Sequence, residues 1–191
     1  MARMAAVQKQ PLNWEPALVQ RAREGDVRAF ERLYRQNVDR VYALCMRLTH
    51  DSSAAEDCTQ EAFINAWRSL GRFEVRSAFG TWMHRIAVNV VLGRRRTSDA
   101  WTYTAAVPVT EIADTAAPDW TFDTAIEVEE IERAIGELPE GARDVLVLSG
   151  IYGYSHQETA QMLGVAEGSC KAQLHRARAI LRRRLQRETP S

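Results

Sequence analysis

Apolar residues recur at three- and four-residue steps along almost the whole of this 191-residue chain, and no convincing run alternates strictly. That is the period of α-helices with one buried face, and it speaks against half-buried strands. The fold class that follows is all-α. Phe30, Leu33, Tyr34, Val41, Tyr42, Cys45 and Leu48 form the clearest stripe. Asp26 stands at its N-cap, so a helix is predicted over about 27–48. Ser53-Ala-Ala-Glu56 reads as a capping box, in which each end satisfies an otherwise orphan N–H. The helix it opens runs to about Leu70, and Gly71 suits its exit. A loop at about 71–79 and a helix from about Gly80 to Arg96 follow, and a short helix from about Glu15 to Glu24 precedes them.

The period breaks at 97–123. This stretch holds Pro108, Pro118, five acids and no base. Such a length without periodicity does not belong inside a compact domain, so it is expected to be a flexible acidic linker. Helix signals resume at Thr124-Ala-Ile-Glu127, another capping-box pattern. Leu138-Pro139 closes that helix and opens the next, over about 140–149. Gly150–Tyr154 reads as a turn. Ser155-His-Gln-Glu158 is a third capping box, Gly164 ends its helix, and a last helix runs from about Glu167 to Gln186. The expected architecture is two small helical domains, 15–96 and 124–187, joined by the linker 97–123.

Charge sharpens this division. The chain carries 25 basic and 25 acidic side chains, a net charge of zero. A sum hides distribution. Residues 68–96 carry +6 and residues 169–191 carry +6, while 97–168 carry −12. All but two of the cations are arginine, which favours bidentate contacts to phosphates and bases, although an Arg-rich codon bias gives the same count. No apolar run approaches a membrane span, and the N-terminus shows no secretory pattern. Cys45, Cys58 and Cys170 are few and widely spaced, as reduced intracellular thiols are, so a cytoplasmic location is expected. His50, His84, His156 and His175 are scattered, with no metal-ligand spacing, and no phosphate loop or nucleophile elbow is present. Neither catalysis nor a cofactor is expected.

The stretch 155–186 has helix-turn-helix spacing. Ala160 is small where two helices cross, and Gly164 supplies a left-handed turn. Val165, Cys170 and Leu174 are expected to plug the second helix onto the first. That helix then exposes Ser169, Lys171, Ala172, Gln173, His175 and Arg176, which would meet base edges in a major groove. Arg182, Arg183, Arg184 and Arg187 lie where phosphates would be. An ordinary helical hairpin with a solvated basic face has the same spacing. In the first basic block, Arg68, Arg72, Arg76, Arg85 and Arg94–Arg96 alternate with Trp67, Phe73, Phe79 and Trp82. Cations interleaved with aromatics suit single-stranded nucleic acid. Bundle-core packing is the commoner fate of the two tryptophans, and Phe73, in a loop, fits that reading less well. The helix face Glu56-Asp57-Cys58-Thr59-Gln60-Glu61 is either solvated or a docking face for a basic partner.

Taken together, these residues resemble a known family. Ala55 through Phe63, Ala66-Trp67, Phe79-Gly-Thr81-Trp82 and Arg85-Ile86-Ala87-Val88-Asn89 look like conserved region 2 of bacterial sigma-70 family sigma factors, of the small extracytoplasmic-function (group 4) type. Asp26, Ala29-Phe30 and Leu33-Tyr34 match the start of that region. Leu138-Pro139, Arg143, Gly153-Tyr154-Ser155, Glu158, Ala160, Leu163-Gly164, Gly168, Lys171, Leu174 and Arg176-Ala177-Arg178 resemble region 4. The resemblance implies a factor that binds core RNA polymerase and directs promoter-specific initiation. Asp57, Gln60, Glu61 and Phe63 would dock the clamp coiled coil of the largest polymerase subunit, and region 4 would meet the flap of the second. Arg68, Phe73, Arg76, Ser77, Phe79, Trp82, Arg85 and Asn89 would read and hold the melted −10 element. Ser155, Gly168, Ser169, Lys171, Ala172, Gln173, His175 and Arg176 would meet the −35 element. Promoter DNA, double- and single-stranded, and an anti-sigma factor are the other implied partners; the chain itself is not a membrane protein.

Three departures from the family pattern stand out. Glu74-Val75 replace the common Arg-Gly after the loop phenylalanine. Gln173 stands where Arg is frequent, and Gln pairs best with adenine, so an altered −35 preference is expected. Cys58 stands where Leu is usual and reads as a small core hydrophobe. The competing class is a stand-alone helix-turn-helix regulator that dimerises through 24–96. The acid between the two basic blocks is further expected to keep the free chain off DNA.

Overall fold

The computed structural model describes residues 15–73, 77–98 and 128–185. The regular elements among the described residues are all helical. The first bundle comprises α1 (Glu15–Arg23), α2 (Val27–Thr49), α3 (Ser52–Ser69) and α4 (Phe79–Ser98), with one 3-10 turn at Leu70–Arg72. α2 is its centre, packed on α1, α3 and α4, and α3 also packs on α4. Leu33, Val41, Leu44 and Leu48 of α2 are buried, with Phe79, Met83, Val88 and Val91 of α4 against them in one core.

Local chemistry sets the helix ends. Asp26 accepts hydrogen bonds from the N–H groups of Arg28 (2.9 Å) and Ala29 (3.1 Å), as an N-cap does. The Arg21 guanidinium and the Ala29 N–H hold its carboxyl below the usual carboxylate range. α2 ends at His50, whose φ of 54° lies in the left-handed region and whose N–H reaches the Met46 carbonyl at 2.8 Å. α3 starts earlier than its capping-box pattern predicts. Its cap is Asp51, which accepts from the Ala54 N–H at 2.7 Å, and Ser53 lies inside the helix. Two cap-forming residues stand two positions apart, and the anionic one takes the helix N-terminus. α4 receives its opening hydrogen bond from another helix, because Glu15 of α1 accepts from the Phe79 N–H at 2.6 Å.

The second bundle comprises α5 (Val128–Gly136), α6 (Glu140–Val145), α7 (His156–Leu163) and α8 (Glu167–Leu185). The helix expected over 140–149 keeps its α-form only to Val145 and continues as a π-helical stretch, Leu146–Ile151. Pro139 sits at the N-cap of α6, one residue outside the helix. Ser155 and Glu158 form the predicted capping box: Ser155 Oγ accepts from the Glu158 N–H at 3.1 Å, and Glu158 Oε2 accepts from the Ser155 N–H at 2.8 Å. Gly164 turns the chain at φ 68°, as the helix-turn-helix spacing requires. Cys170 and Leu174 are buried plugs. Val165, expected as a third, is instead exposed, because it follows the left-handed turn and sits at the tip of the corner. The capping box expected at Thr124 and Glu127 and the whole linker 97–123, apart from the backbone of its first two residues in α4, lie outside the described residues.

The two bundles touch. α2 packs on α5 and on the 146–151 stretch, and α4 packs on α7. Arg47 of α2 pairs with Glu132 of α5, Nη2 to Oε1 at 2.5 Å, and also donates to the Tyr152 hydroxyl at 3.3 Å. Arg95 of α4 pairs with Asp144 at 2.7 Å and Glu140 at 3.0 Å, and donates to the Leu48 carbonyl at 2.5 Å. The rings of His84 and Tyr152 meet edge to face at 5.0 Å. The His50 ring lies directly over Gly136, so a side chain at 136 would require that exposed ring to move.

Candidate polymerase and nucleic-acid interfaces

Three surfaces carry the residues that the sequence singled out. The first lies between α2 and α3. Asp57 and Gln60 are exposed on α3, Glu61 is half-exposed beside them, and Phe63 is buried, its ring edge-on to Tyr34 at 4.6 Å. Asp57, Gln60 and Phe63 border a groove of ≈ 940 Å³ whose apolar lining includes Val27, Phe30, Tyr34, Phe63, Ile64 and Trp67, while Glu61 faces away from it toward Asn89 and Arg94. Four of them are among the few large apolar side chains left in water among the described residues: Val27 at 67%, Ile64 at 45%, Tyr34 at 41% and Trp67 at 39% exposure. Single exposed apolar residues need no explanation, but a cluster along one groove marks a binding surface. Sequence reasoning assigned the acidic rim and missed Val27 and Ile64. The signal was available in α3, where Phe63, Ile64 and Trp67 make a stripe wider than one core contact fills.

Asp57 on the rim and Glu61 one turn further along α3 are already engaged. Arg94 of α4 donates to Asp57 Oδ2 at 3.0 Å and to Glu61 Oε2 at 2.9 Å. All three side chains are well exposed, so the pairs are weak and exchangeable.

The second surface follows α3 into α4. Phe73, Phe79 and Trp82 come together as the sequence grouping suggests, but they pack on one another. Phe73 stacks on Trp82 at 4.7 Å, and Phe79 lies 5.6 Å from Trp82 and 6.1 Å from Phe73. All three are buried. The two tryptophans part company, since Trp82 is core while Trp67 lies at the groove, edge-on to Phe30 at 4.8 Å. Arg68 is exposed, and Ser77 and Asn89 are half-buried. Arg85 is only 8% exposed, close enough to Tyr154 of the second bundle for its charge to act on that phenol. Burial nonetheless dominates at Tyr154 and pushes its pKa up to about 12. Arg76 lies outside the described residues.

The third surface is α8, with the N-cap of α7 as the other part that the sequence assigned to it. Ser155, Gly168, Ser169, Lys171, Ala172, His175 and Arg176 are exposed together. Lys171 pairs with Glu167 one turn earlier, at 2.7 Å. Gln173 is not fully exposed with them: it is half-buried, and its amide lies against Gly141 of α6. Arg182 and Arg183 extend the basic face, while Arg184 pairs with Glu137 in the turn after α5.

Among the described residues, no group of three or more His, Cys, Asp or Glu side chains is placed to hold a metal ion, and no helix is long and apolar enough to cross a membrane. All three cysteines are buried, and burial pushes the Cys45 thiol up to about 11.

Comparison with known proteins matches both bundles. Residues 33–101 fit the Sigma-70 region 2 family and residues 128–181 fit the Sigma-70, region 4 family. The chain is 38% identical over 161 residues to the ECF RNA polymerase sigma factor SigM of Mycobacterium tuberculosis, covering 84% of this chain and 79% of that one. It is 34% identical over 178 residues to the RNA polymerase sigma-H factor of Pseudomonas aeruginosa, covering 88% and 92%. In fold it is similar to the sigma factor RpoE of Bartonella quintana, solved with the anti-sigma factor NepR. That likeness has a TM-score of 0.57 at 21% identity and covers 85% of this chain and all of the other. With both regions matched in order and relatives of this similarity over most of its length, the chain belongs to the extracytoplasmic-function sigma factors of the sigma-70 family, non-enzymatic proteins that direct RNA polymerase to initiate transcription.

Proposed function

We propose that the groove between α2 and α3 seats the clamp coiled coil of core polymerase, that α4 and the turn before it hold the −10 element, and that α8 reads the −35 element. The observation that carries the first assignment is the cluster of exposed Val27, Tyr34, Ile64 and Trp67 beside Asp57 and Gln60. An apolar trough with an acidic rim fits a partner helix pair that is apolar on one side and basic at its edges. Helix α8 presents the polar and basic side chains of its first two turns, as a recognition helix does, and its C-terminal arginines suit phosphates. The region 4 bundle would also meet the flap of the second largest subunit. Linker 97–123 joins the two DNA-reading parts. The −12 charge of residues 97–168 suits passage through channels built for a polyanion.

The chain acts in the cytoplasm, where polymerase is, and without a cofactor. An anti-sigma factor is its expected antagonist, by similarity to the RpoE chain solved with NepR. A stand-alone dimeric regulator gains nothing from two halves that both match one sigma family. The test is transcription from genomic template with purified core polymerase. Addition of this chain is expected to give promoter-specific transcripts. If no template yields one, and the free chain shifts promoter DNA unaided, the assignment is overturned in favour of the regulator.

A further inference from the structure

We propose that α1 is a strut for the −10 surface, with Glu15 and Arg23 as positioning residues that hold the start of α4 and the Leu70–Arg72 turn at a fixed separation. This rests on the sigma reading given above, in which that part of the first bundle carries the −10 contacts. α1 lies ahead of residue 33, where the region 2 match begins. It packs on α2 and on the Leu70–Arg72 turn. Leu18, Val19 and Ala22 are buried and seat it. Glu15 stands three and four positions before the first two of these, so the buried face carries its carboxylate inward. There it accepts from the Phe79 N–H at 2.6 Å. At the far end of α1, Arg23 Nη2 donates to the Gly71 carbonyl at 3.3 Å. At 1.5 Å per residue, the two anchors lie roughly 12 Å apart along one helix.

The sequence gives α4 no local cap. Ala78, the residue before this 20-residue helix, has no side-chain acceptor. The Glu15 carboxylate, 64 positions away, takes one of the exposed N–H groups instead, and its charge suits a helix N-terminus. The next residue is gripped from another side. Gly80 lies against α2, where an added Cβ would come within 3.1 Å of Asn37 Oδ1. Phe79 itself is fully buried, with the rings of Phe73 and Trp82 on it. A shift of this first turn therefore moves the ring cluster, and it moves Ser77, Arg85 and Asn89, the proposed −10 contacts at the head of α4 and along it. Sign separates this role from a simple charge effect. An acid beside a DNA surface repels phosphates, so removing a merely adjacent charge strengthens binding. Removing an acceptor that holds the surface in place weakens it.

The experiment uses the full-length chain assembled with core polymerase. Its probe is the non-template strand of a promoter that the wild-type holoenzyme transcribes, read against a scrambled strand of the same composition. Glu15→Ala removes the acceptor, Glu15→Gln keeps an Oε1 acceptor without the charge, and Arg23→Ala frees the other end. Glu24→Ala removes an acid that bonds Gln20 of α1 instead. Glu15→Ala is expected to lower the preference for the promoter strand about fivefold. Arg23→Ala is expected to lower it about twofold, since its bond is exposed. Glu15→Gln should stay within about twofold of wild type, and Glu24→Ala should leave the preference unchanged. Affinity for core polymerase, measured by competition, should not move in any variant. A lowered urea midpoint in Glu15→Ala with an unmoved strand preference makes Glu15 a structural cap and overturns the proposal. Stronger strand binding in both Glu15 variants, matched by Glu24→Ala, overturns it in favour of the bare charge. Arg23→Ala disturbs no buried side chain, so an unmoved preference there overturns the proposal even where Glu15→Ala fails to fold. A wild-type chain that gives no promoter-specific transcript refutes the sigma reading, and the strut falls with it; a transcribing wild type with unmoved variants refutes the strut alone.

Discussion

Ser155 has two separable duties, and one pair of substitutions tells them apart. Its Oγ caps α7 by accepting from the Glu158 N–H at 3.1 Å, and its side chain is exposed at the edge of the proposed −35 surface. Ser155→Ala removes the acceptor and leaves that N–H to water. Loss of an N-cap costs about 1 kcal/mol. With a urea dependence of roughly 1–2 kcal/mol/M, the unfolding midpoint should fall by roughly 0.5–1 M. Glu158 is buried and keeps its own bond to the Ser155 N–H, so half of the box survives and the loss should not exceed this. Ser155→Asp caps as well as Ser and adds a favourable charge at a helix N-terminus, so stability should be unchanged or raised by a few tenths of a kcal/mol. The same charge faces a phosphate if the −35 assignment is right. Open-complex formation by holoenzyme on a −35-dependent promoter should then fall about tenfold, the equivalent of about 1.4 kcal/mol. Urea unfolding followed by circular dichroism measures the first duty, and promoter titration of the holoenzyme measures the second. A stable Ser155→Asp chain with wild-type promoter affinity would refute the placement of Ser155 at the −35 element. An unshifted midpoint in Ser155→Ala would refute the energetic reading of the cap.

Asp57→Ala/Gln60→Ala should weaken binding to core polymerase about tenfold in a competition assay while leaving the unfolding midpoint within about 0.3 M, since both side chains are exposed. Gln173→Arg, tested on a library of −35 variants, should move preference towards guanine. The longer side chain reaches past the site at Gly141 where the glutamine amide rests, and an unchanged profile refutes a role for this position. Burial, with a smaller contribution from the Arg40 charge, holds the His84 pKa down to about 4. The unfolded chain takes up a proton near pH 6.5 and the folded chain does not. Stability is therefore complete above about pH 6.5 and is lost as the pH falls toward 4, by about 2 kcal/mol at pH 5. The groups around the ring are Tyr152, Arg40 and, on the far side of the tyrosine, Arg47 with Glu132. Unfolding midpoints at pH 7 and pH 5 should converge in His84→Phe; an equal drop in both chains refutes the assignment.

Features set by neighbours in sequence were legible. Asp26 as a cap, the reciprocal box of Ser155 and Glu158, and the left-handed Gly164 depend on residues at most a few positions away, and all three occur as expected. The errors are of two kinds. Where two residues could do one job, local pattern could not choose, and Asp51 took the cap from Ser53. Where tertiary contact decides, periodicity was silent. Trp67 and Trp82 have similar neighbours in sequence, yet one lines the groove and the other is core. Phe73 looked available for a base and instead stacks on Trp82. The contacts between bundles were out of reach altogether, because Arg47 and Glu132 stand 85 positions apart and look like ordinary solvated charges on their own helices.

Those pairs change what the zero net charge means. A segment-by-segment count gives +6 in residues 68–96, a figure that suggests an uninterrupted cationic surface for DNA. In the folded chain Arg94 is occupied by Asp57 and Glu61, and Arg95 by Asp144 and Glu140. At the other end Arg184 is paired with Glu137. The acid is therefore not a diffuse background that lowers affinity everywhere; it is delivered to particular arginines by the fold. Two consequences differ in kind. Arg94 lies on the acids proposed to meet polymerase, within one bundle, so a basic polymerase surface competes with it locally and releases it without any domain movement. Arg95 is held across the bundle boundary, so releasing it requires the bundles to part.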